Sequence, residues 1–131
     1  MKLSELIKEI KDKVLLYSVL EPDGYWTIYL LNIYNEPLTD VFILSSSHGF
    51  IGDKEKHSSL LRHYYESVNP NEEILIESLV ETSQLKNMFD VSLYLNKEIF
   101  ENTYTFDIKN LSDITEIKQT NKKAHILQSK Y

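Results

Sequence analysis

The chain has 131 residues, which is the usual size of one domain and enough to bury a hydrophobic core without disulfides or structural metals. It contains no cysteine, which excludes disulfides, thiolate metal sites and cysteine nucleophiles. Its net charge of −6 argues against broad nucleic-acid binding, because such binding needs a basic surface that displaces counterions.

The N-terminal segment is amphipathic. Charge interrupts its apolar residues at short intervals, so it lacks the continuous apolar segment of a signal peptide, and we predict a cytoplasmic protein with no membrane partner. The apolar side chains recur at helical spacing, and Ser4 is placed to cap the first turn. The spacing predicts a short helix up to about Lys13, formed around Leu3, Leu6, Ile7, Ile10 and Val14.

The stretch 25–34, YWTIYLLNIY, predicts a central β-strand. It is almost entirely aromatic, aliphatic or β-branched, it lies between two turn signals at 22–24 and 35–37, and it is too short to span a membrane. Alternation gives the strand two apolar faces, so it needs cover on both sides and belongs in the middle of a sheet. One face carries Trp26, Ile28 and Leu30, and the other carries Tyr25, Tyr29, Leu31 and Ile33.

Other segments share this strand character and are separated by turn signals: 14–21, 38–47, 58–68, 73–80, 89–96 and 99–108. The segment 48–57 holds two of the three glycines and a run of charges, which predicts a mobile loop. The segment 81–88 predicts a connection with one helical turn. The last two strands would form a hairpin that turns at 96–97 and buries Phe100, Tyr104, Phe106 and Ile108.

About seven strands with a turn signal roughly every ten residues are typical of an antiparallel sandwich or barrel. No segment between them is long enough for a crossover helix. We therefore predict a mainly β fold, an antiparallel β-sandwich with immunoglobulin-like layers and a short N-terminal helix, over residues 1–109. Residues 110–131 form a basic tail with four lysines against two carboxylates, docked or flexible. Its apolar residues would form a docked helix or no regular structure: Ile114, Ile117, Ile126 and Leu127.

Catalytic motifs are absent from the sequence, which has no phosphate-binding glycine loop, nucleophile elbow or zinc-binding histidine pair. Ser59 and His63 are four residues apart in a predicted strand, on one face but beyond hydrogen-bonding distance. Asp53, Glu55 and His57 are competent ligands for a divalent cation, although a charged loop of this composition is usually solvated. We predict neither a metal nor a cofactor.

The cluster Arg62-His63-Tyr64-Tyr65 is the leading candidate for a binding site. An arginine and a histidine among aromatic rings would grip a carboxylate or stack on a partner's ring. The simpler interpretation pairs Arg62 with an acidic neighbour and uses Tyr64 to cover the core. Tyr29 is a further candidate, because a chain with nine tyrosines suits an interface, although tyrosine is also a common strand residue.

Short motifs follow one another along 25–108: W-x-x-Y-L-x-N, a strand leading into two serines, S-x-L-R-H-Y, and a closing V-S-x-Y hairpin. The residues that carry them are Trp26, Tyr29, Leu30, Asn32, Asp40, Val41, Ser45, Ser46, Ser59, Leu61, Arg62, His63, Tyr64, Val91, Ser92 and Tyr94. In this order they resemble a family of small uncharacterised bacterial proteins. Some of these are automatically labelled phenylalanine tRNA synthetase α subunit, a label we set aside because the chain is too short and lacks the arginine-bearing nucleotide motifs. The resemblance implies a single domain and no known activity.

These patterns favour a non-enzymatic module that binds another protein or a second copy of itself. The alternative is a small hydrolase or ligand-binding enzyme that uses His63 with Arg62, which a concave pocket holding both beside a carboxylate would favour. The apolar outer face of the central strand, or its equivalent on 58–68, predicts a homodimer. The competing explanation is that the N-terminal helix and the tail around Ile126 and Leu127 fold over that face.

Overall fold

The computed structural model describes residue 10 and residues 12–51, 53–57, 60–79 and 85–130. Within these ranges the chain forms β-strands, a 3₁₀ turn at Ile108–Asn110 and no α-helix. The strands are β1 (Val14–Leu20), β2 (Trp26–Asn32), β3 (Leu38–Ile51), β4 (Lys54–His57), β5 (Leu61–Val68), β6 (Glu73–Leu79), β7 (Leu85–Leu95), β8 (Glu98–Asp107), β9 (Ile114–Ile117), β10 (Lys122–Ile126) and β11 (Gln128–Ser129).

The strands form two antiparallel sheets, so the prediction of a mainly β, antiparallel fold is confirmed. The first sheet has the order β6-β2-β1-β10-β9, and the second has the order β11-β8-β7-β3. The free side of the 14-residue strand β3 pairs with β5 along its first part and with β4 at its end. Strand β2 lies between β1 and β6, as the two apolar faces of its sequence predict.

One face of each sheet contributes to a single apolar core. From the first sheet, alternation along β2 buries Trp26, Ile28 and Leu30, the inner set that the sequence predicts. From the second sheet, the predicted hairpin of β7 and β8 contributes Phe89, Val91, Leu93, Leu95, Phe100, Tyr104 and Phe106. Its turn has positive φ at Asn96 and Lys97, 51° and 67°, as a two-residue hairpin turn requires.

The C-terminal residues belong to both sheets. Strand β10 pairs with β1 and β11 pairs with β8, so one short segment extends each sheet in turn. Between them, the Leu127 N–H donates to the Leu16 carbonyl over 3.0 Å, and the Lys130 N–H donates to the Thr103 carbonyl over 2.8 Å. The prediction of a docked helix or no regular structure is wrong here. Strands β1 and β8 each have backbone groups along one side that need hydrogen-bond partners, and the tail supplies these partners by forming strands. The strands of the tail are too short for their hydrophobic pattern to show a strand period in the sequence.

The hairpin of β9 and β10 curls over the outer face of the first sheet. There, Tyr17 and Leu31 form a second apolar cluster with Ile117 and Ala124 of the hairpin. Lys122 of the hairpin donates to the Glu73 carboxylate on β6, at the opposite edge of the same sheet. A contact between the two edges requires the hairpin to lie across the strands between them. The outer face of the central strand is therefore covered by the chain's own tail.

Three sequence predictions are modified by the described residues. The N-terminal helix falls almost wholly on residues outside the described ranges. Asp12 and Lys13, just before β1, lie in a turn in which the Lys13 N–H donates to the Ile10 carbonyl over 2.9 Å. The predicted loop 48–57 is wrong, because β3 continues to Ile51 and pairs with β4. Residues 85–88 of the predicted connection belong to β7, while 81–84 lie outside the described ranges. Residues 54–57 and 85–88 form strands because the long β3 offers them backbone hydrogen-bond partners. This pairing outweighs the loop preference of their local sequence.

Candidate binding face

The outer face of the second sheet exposes large apolar side chains. Phe42 on β3 is 46% exposed and Tyr64 on β5 is 51% exposed, and Tyr94 and Ile99 beside them are also exposed. On the corresponding face of the first sheet, Tyr17 and Leu31 are buried under the hairpin of β9 and β10, while Tyr25 and Leu75 are exposed. The two outer faces therefore differ in how far they are covered: the hairpin lies over the first sheet, and Phe42 and Tyr64 present their rings to solvent side by side on the second.

The pairing register arranges this face in transverse rows. The arginine row crosses the sheet from β5 to β8 and consists of Arg62, Leu44, Asp90 and Thr103. The tyrosine row lies two residues further along each strand and consists of Tyr64, Phe42, Ser92 and Glu101. Neighbouring strands are about 4.8 Å apart, so each row is about 15 Å long. Each row has an aromatic or aliphatic part on β3 and polar groups on β7 and β8.

An open groove of about 610 Å³ runs across these rows. Phe42 and Leu44 form its apolar floor, and its charged lining residues are Arg62 on β5, Asp90 on β7, Glu101 on β8 and Lys130 after β11. The side chains of Arg62 and Glu101 make no hydrogen bond or ion pair with any other residue in the described part of the chain. The predicted pairing of Arg62 with an acidic neighbour is therefore not seen among those residues, and the groove carries side chains of both charges.

The aromatic part of the face is held in place by its own contacts. The rings of Phe42 and Tyr64 lie 4.7 Å apart, and the Tyr64 hydroxyl donates to the Asp40 carboxylate over 2.6 Å. Asp40 sits at a register shift of β3 with a positive φ of 47°, a conformation that aspartate tolerates better than most residues. The Tyr64 phenol is protonated at neutral pH at its ordinary pKa, and the hydrogen bond to Asp40 raises that pKa further. Tyr64 is thus a fixed, neutral, exposed ring.

His63 points to the opposite side of β5 from Arg62. Its Nε2 atom lies 3.0 Å from a Glu77 carboxylate oxygen, and the Ser45 hydroxyl donates to the same oxygen. Glu77 belongs to the first sheet, so this cluster is a polar bridge between the sheets. The pKa of the neighbouring Tyr65 is raised, mainly by burial and further by the negative charge of Glu77. Ser45 is bonded to the carboxylate and not to the imidazole, whereas an activated serine needs the imidazole as its partner.

Tyr29 lies far from this face, on the outer side of the first sheet. Its ring stacks on Tyr17 at 5.7 Å, and the Lys122 ammonium lies 4.0 Å from the centre of the ring. Of the predicted site residues, the structure therefore brings Arg62 and Tyr64 together and places His63 and Tyr29 elsewhere. Ser59 lies outside the described ranges.

The residues of the face that the sequence did not single out are Phe42, Leu44, Asp90 and Glu101. Their outward direction follows from alternation in 38–47, 89–96 and 99–108, but their common location follows from strand order, which alternation does not encode. Within the described ranges, no cluster of three or more histidine or carboxylate side chains could hold a metal ion, and Asp53 and Glu55 of the suggested cation site are exposed. The described ranges also contain no helix that is long and apolar enough to cross a membrane.

Comparison of the chain with protein-family models, curated protein sequences and solved protein structures gave no match. The resemblance based on the short motifs stays a prediction. The binding face is therefore interpreted from its own chemistry.

Proposed function

We propose that the protein is a non-enzymatic binding module whose outer face on the second sheet contacts a protein partner. The observation that supports this proposal is the exposed Phe42–Tyr64 pair next to Arg62, which has no partner among the described residues. Exposed aromatic rings and arginine are the side chains most enriched at interfaces, and an apolar patch rimmed by charge is typical of a contact surface. The open groove suits a surface of another protein.

The enzyme alternative has less support in this geometry. It requires His63 and Arg62 to share a pocket with a carboxylate. The two side chains lie on opposite faces of β5, because residues at adjacent positions of a strand point in opposite directions. The Glu77 carboxylate and Ser45 hydroxyl are bonded within the bridge between the sheets.

The strand order also supports the finer proposal of an immunoglobulin-like sandwich. The run β6-β2-β1 corresponds to strands E-B-A of that fold, and β5-β3-β7-β8 corresponds to C′-C-F-G. The chain departs from the antibody pattern in having no cysteines for the disulfide between the sheets. In this proposal the binding face is the outer face of the C′-C-F-G sheet.

The test compares matched surface variants in partner capture from a lysate of the host cell. One variant carries Phe42→Ser and Tyr64→Ser on the face, and the control carries Leu20→Ser and Leu75→Ser on the first sheet, where these side chains are 54% and 50% exposed. The wild type and the control should retain the same protein partner, and the face variant should lose it. Circular dichroism checks that both variants fold. Equal retention by the face variant would contradict the proposal.

A further inference from the structure

We infer that the occupant of this face is a second copy of the chain, stacked face to face about a twofold axis that runs across the strands between the arginine row and the tyrosine row. This inference rests on the proposed function, since it names the partner of the same face. The sequence predicts a dimer through the outer side of the central strand or its equivalent on 58–68, and the face used here is the second of these. On the central strand, Tyr29, Leu31 and Ile33 lie in the cluster under the chain's own hairpin.

The need for an occupant follows from the contrast between the two outer faces. Both sheets carry apolar side chains on both sides, but in the described part of the chain the covering hairpin lies on the first sheet. Phe42, Tyr64, Tyr94 and Ile99 remain exposed on the second. A twofold dimer covers a patch of this kind with the same patch of its copy.

The chemistry of the rows decides the orientation. With the axis across the strands, each strand lies over the same strand of the second copy. The arginine row of one copy then lies over the tyrosine row of the other, so each side chain faces the residue two positions away on the same strand. Leu44 then faces Phe42 of the second copy, and Arg62 lies over the ring of Tyr64. Asp90 faces the Ser92 hydroxyl, which can donate to it. Glu101 faces Thr103, whose hydroxyl donates to Asp90 of its own chain over 2.6 Å, so this pair places a carboxylate against a polar side chain. These four facing pairs bring no like charges together, and each occurs twice in the dimer.

An axis along the strands gives a poorer match. It would place β3 over β7 of the second copy and β5 over β8. Leu44 would then face Asp90, which removes a carboxylate from water against an aliphatic side chain, and Phe42 would face Ser92. The arrangement with the axis across the strands is therefore the self-complementary one.

Position 92 provides a test in which the expected effects have opposite signs. Ser92→Lys places an ammonium opposite Asp90 of the second copy, and Ser92→Glu places a carboxylate there. Sedimentation of the full chain from about 1 μM to about 100 μM should show a monomer–dimer equilibrium for the wild type. With two such pairs per dimer, Ser92→Lys should lower the dimer Kd about fivefold, and Ser92→Glu should raise it about fivefold.

The matched controls are Ser78→Lys and Ser78→Glu, which change the net charge equally at an exposed serine of β6 in the first sheet. Both should leave the dimer Kd unchanged. A wild-type chain that is monomeric over the whole range overturns the inference, as does weakening of the dimer by both Ser92 variants. If the chain is monomeric but Phe42→Ser with Tyr64→Ser still abolishes capture of another protein, the proposed function stands and only the second-copy inference fails.

Discussion

Replacing Ile117 with alanine should destabilise the fold by about 3 kcal/mol, whereas the same replacement at Ile114 should cost less than about 1 kcal/mol. Both isoleucines belong to the four-residue strand β9, but Ile117 is 2% exposed and Ile114 is 62% exposed. The pair therefore keeps the chemical change and the strand constant and varies only the burial. The difference measures how firmly the C-terminal hairpin packs on the first sheet.

The magnitude follows from the contacts of the buried side chain. Ile117→Ala removes three carbon atoms from the cluster with Tyr17 and Leu31, and burial contributes about 0.8 kcal/mol for each. The space left behind adds a cavity cost, which places isoleucine-to-alanine changes at about 2–5 kcal/mol. Because a hairpin lying over the surface of a sheet can collapse into part of that space, we expect a value in the lower half of this range.

Equilibrium urea unfolding measures both variants. The only tryptophan, Trp26, lies in the core with its ring 5.8 Å from the His125 ring of β10, so its fluorescence reports on the region where the tail joins the fold. Far-ultraviolet circular dichroism serves as the second probe, and coincident transitions justify a two-state analysis. A difference of less than about 1 kcal/mol between the two variants would refute the packing of the hairpin on the sheet.

Trp26→Ala should cost about 3–5 kcal/mol in the same assay, because the indole packs against Phe106 in the core, and a loss under about 1 kcal/mol would place it outside the core. Stability should fall as the pH rises above 10, because burial and then Glu73 raise the pKa of Tyr17 above its ordinary value of 10.0. Burial alone would lower the pKa of Lys122, but the hydrogen bond and charge of Glu73 outweigh it and raise that pKa as well. As the pH rises, the unfolded chain loses these two protons before the folded chain does. The stabilisation is therefore complete below pH 10 and declines as the pH approaches the folded-state pKa values. A urea midpoint that stays constant as the pH rises above 10 would contradict this prediction. Far-ultraviolet circular dichroism should be dominated by antiparallel β signal, and a mainly helical spectrum would contradict the fold.

Much of the direction of side chains was predictable from local alternation. The period of two placed Trp26 on the inner face of β2 and Leu31 on its outer face, as the structure has them. The same period puts Arg62 and Tyr64 on one side of β5 and His63 on the other, which is enough to separate the two halves of the suggested enzyme site. The short strands of the tail were missed because four or five residues give too little pattern to distinguish a strand from a loop.

Only the tertiary structure decided which apolar face is covered and which is left open. The covering contact joins Lys122 to Glu73 across 49 positions of sequence, and such a contact depends on how the hairpin curls over the sheet. The groove depends in the same way on strand order, since β3 and β7 place Leu44 and Asp90 beside Arg62. Alternation is a local property of the backbone, which the sequence displays directly. Strand order and sheet curvature are set by the summed pairing and burial of the whole chain, so the binding face emerges only when the sheets are assembled.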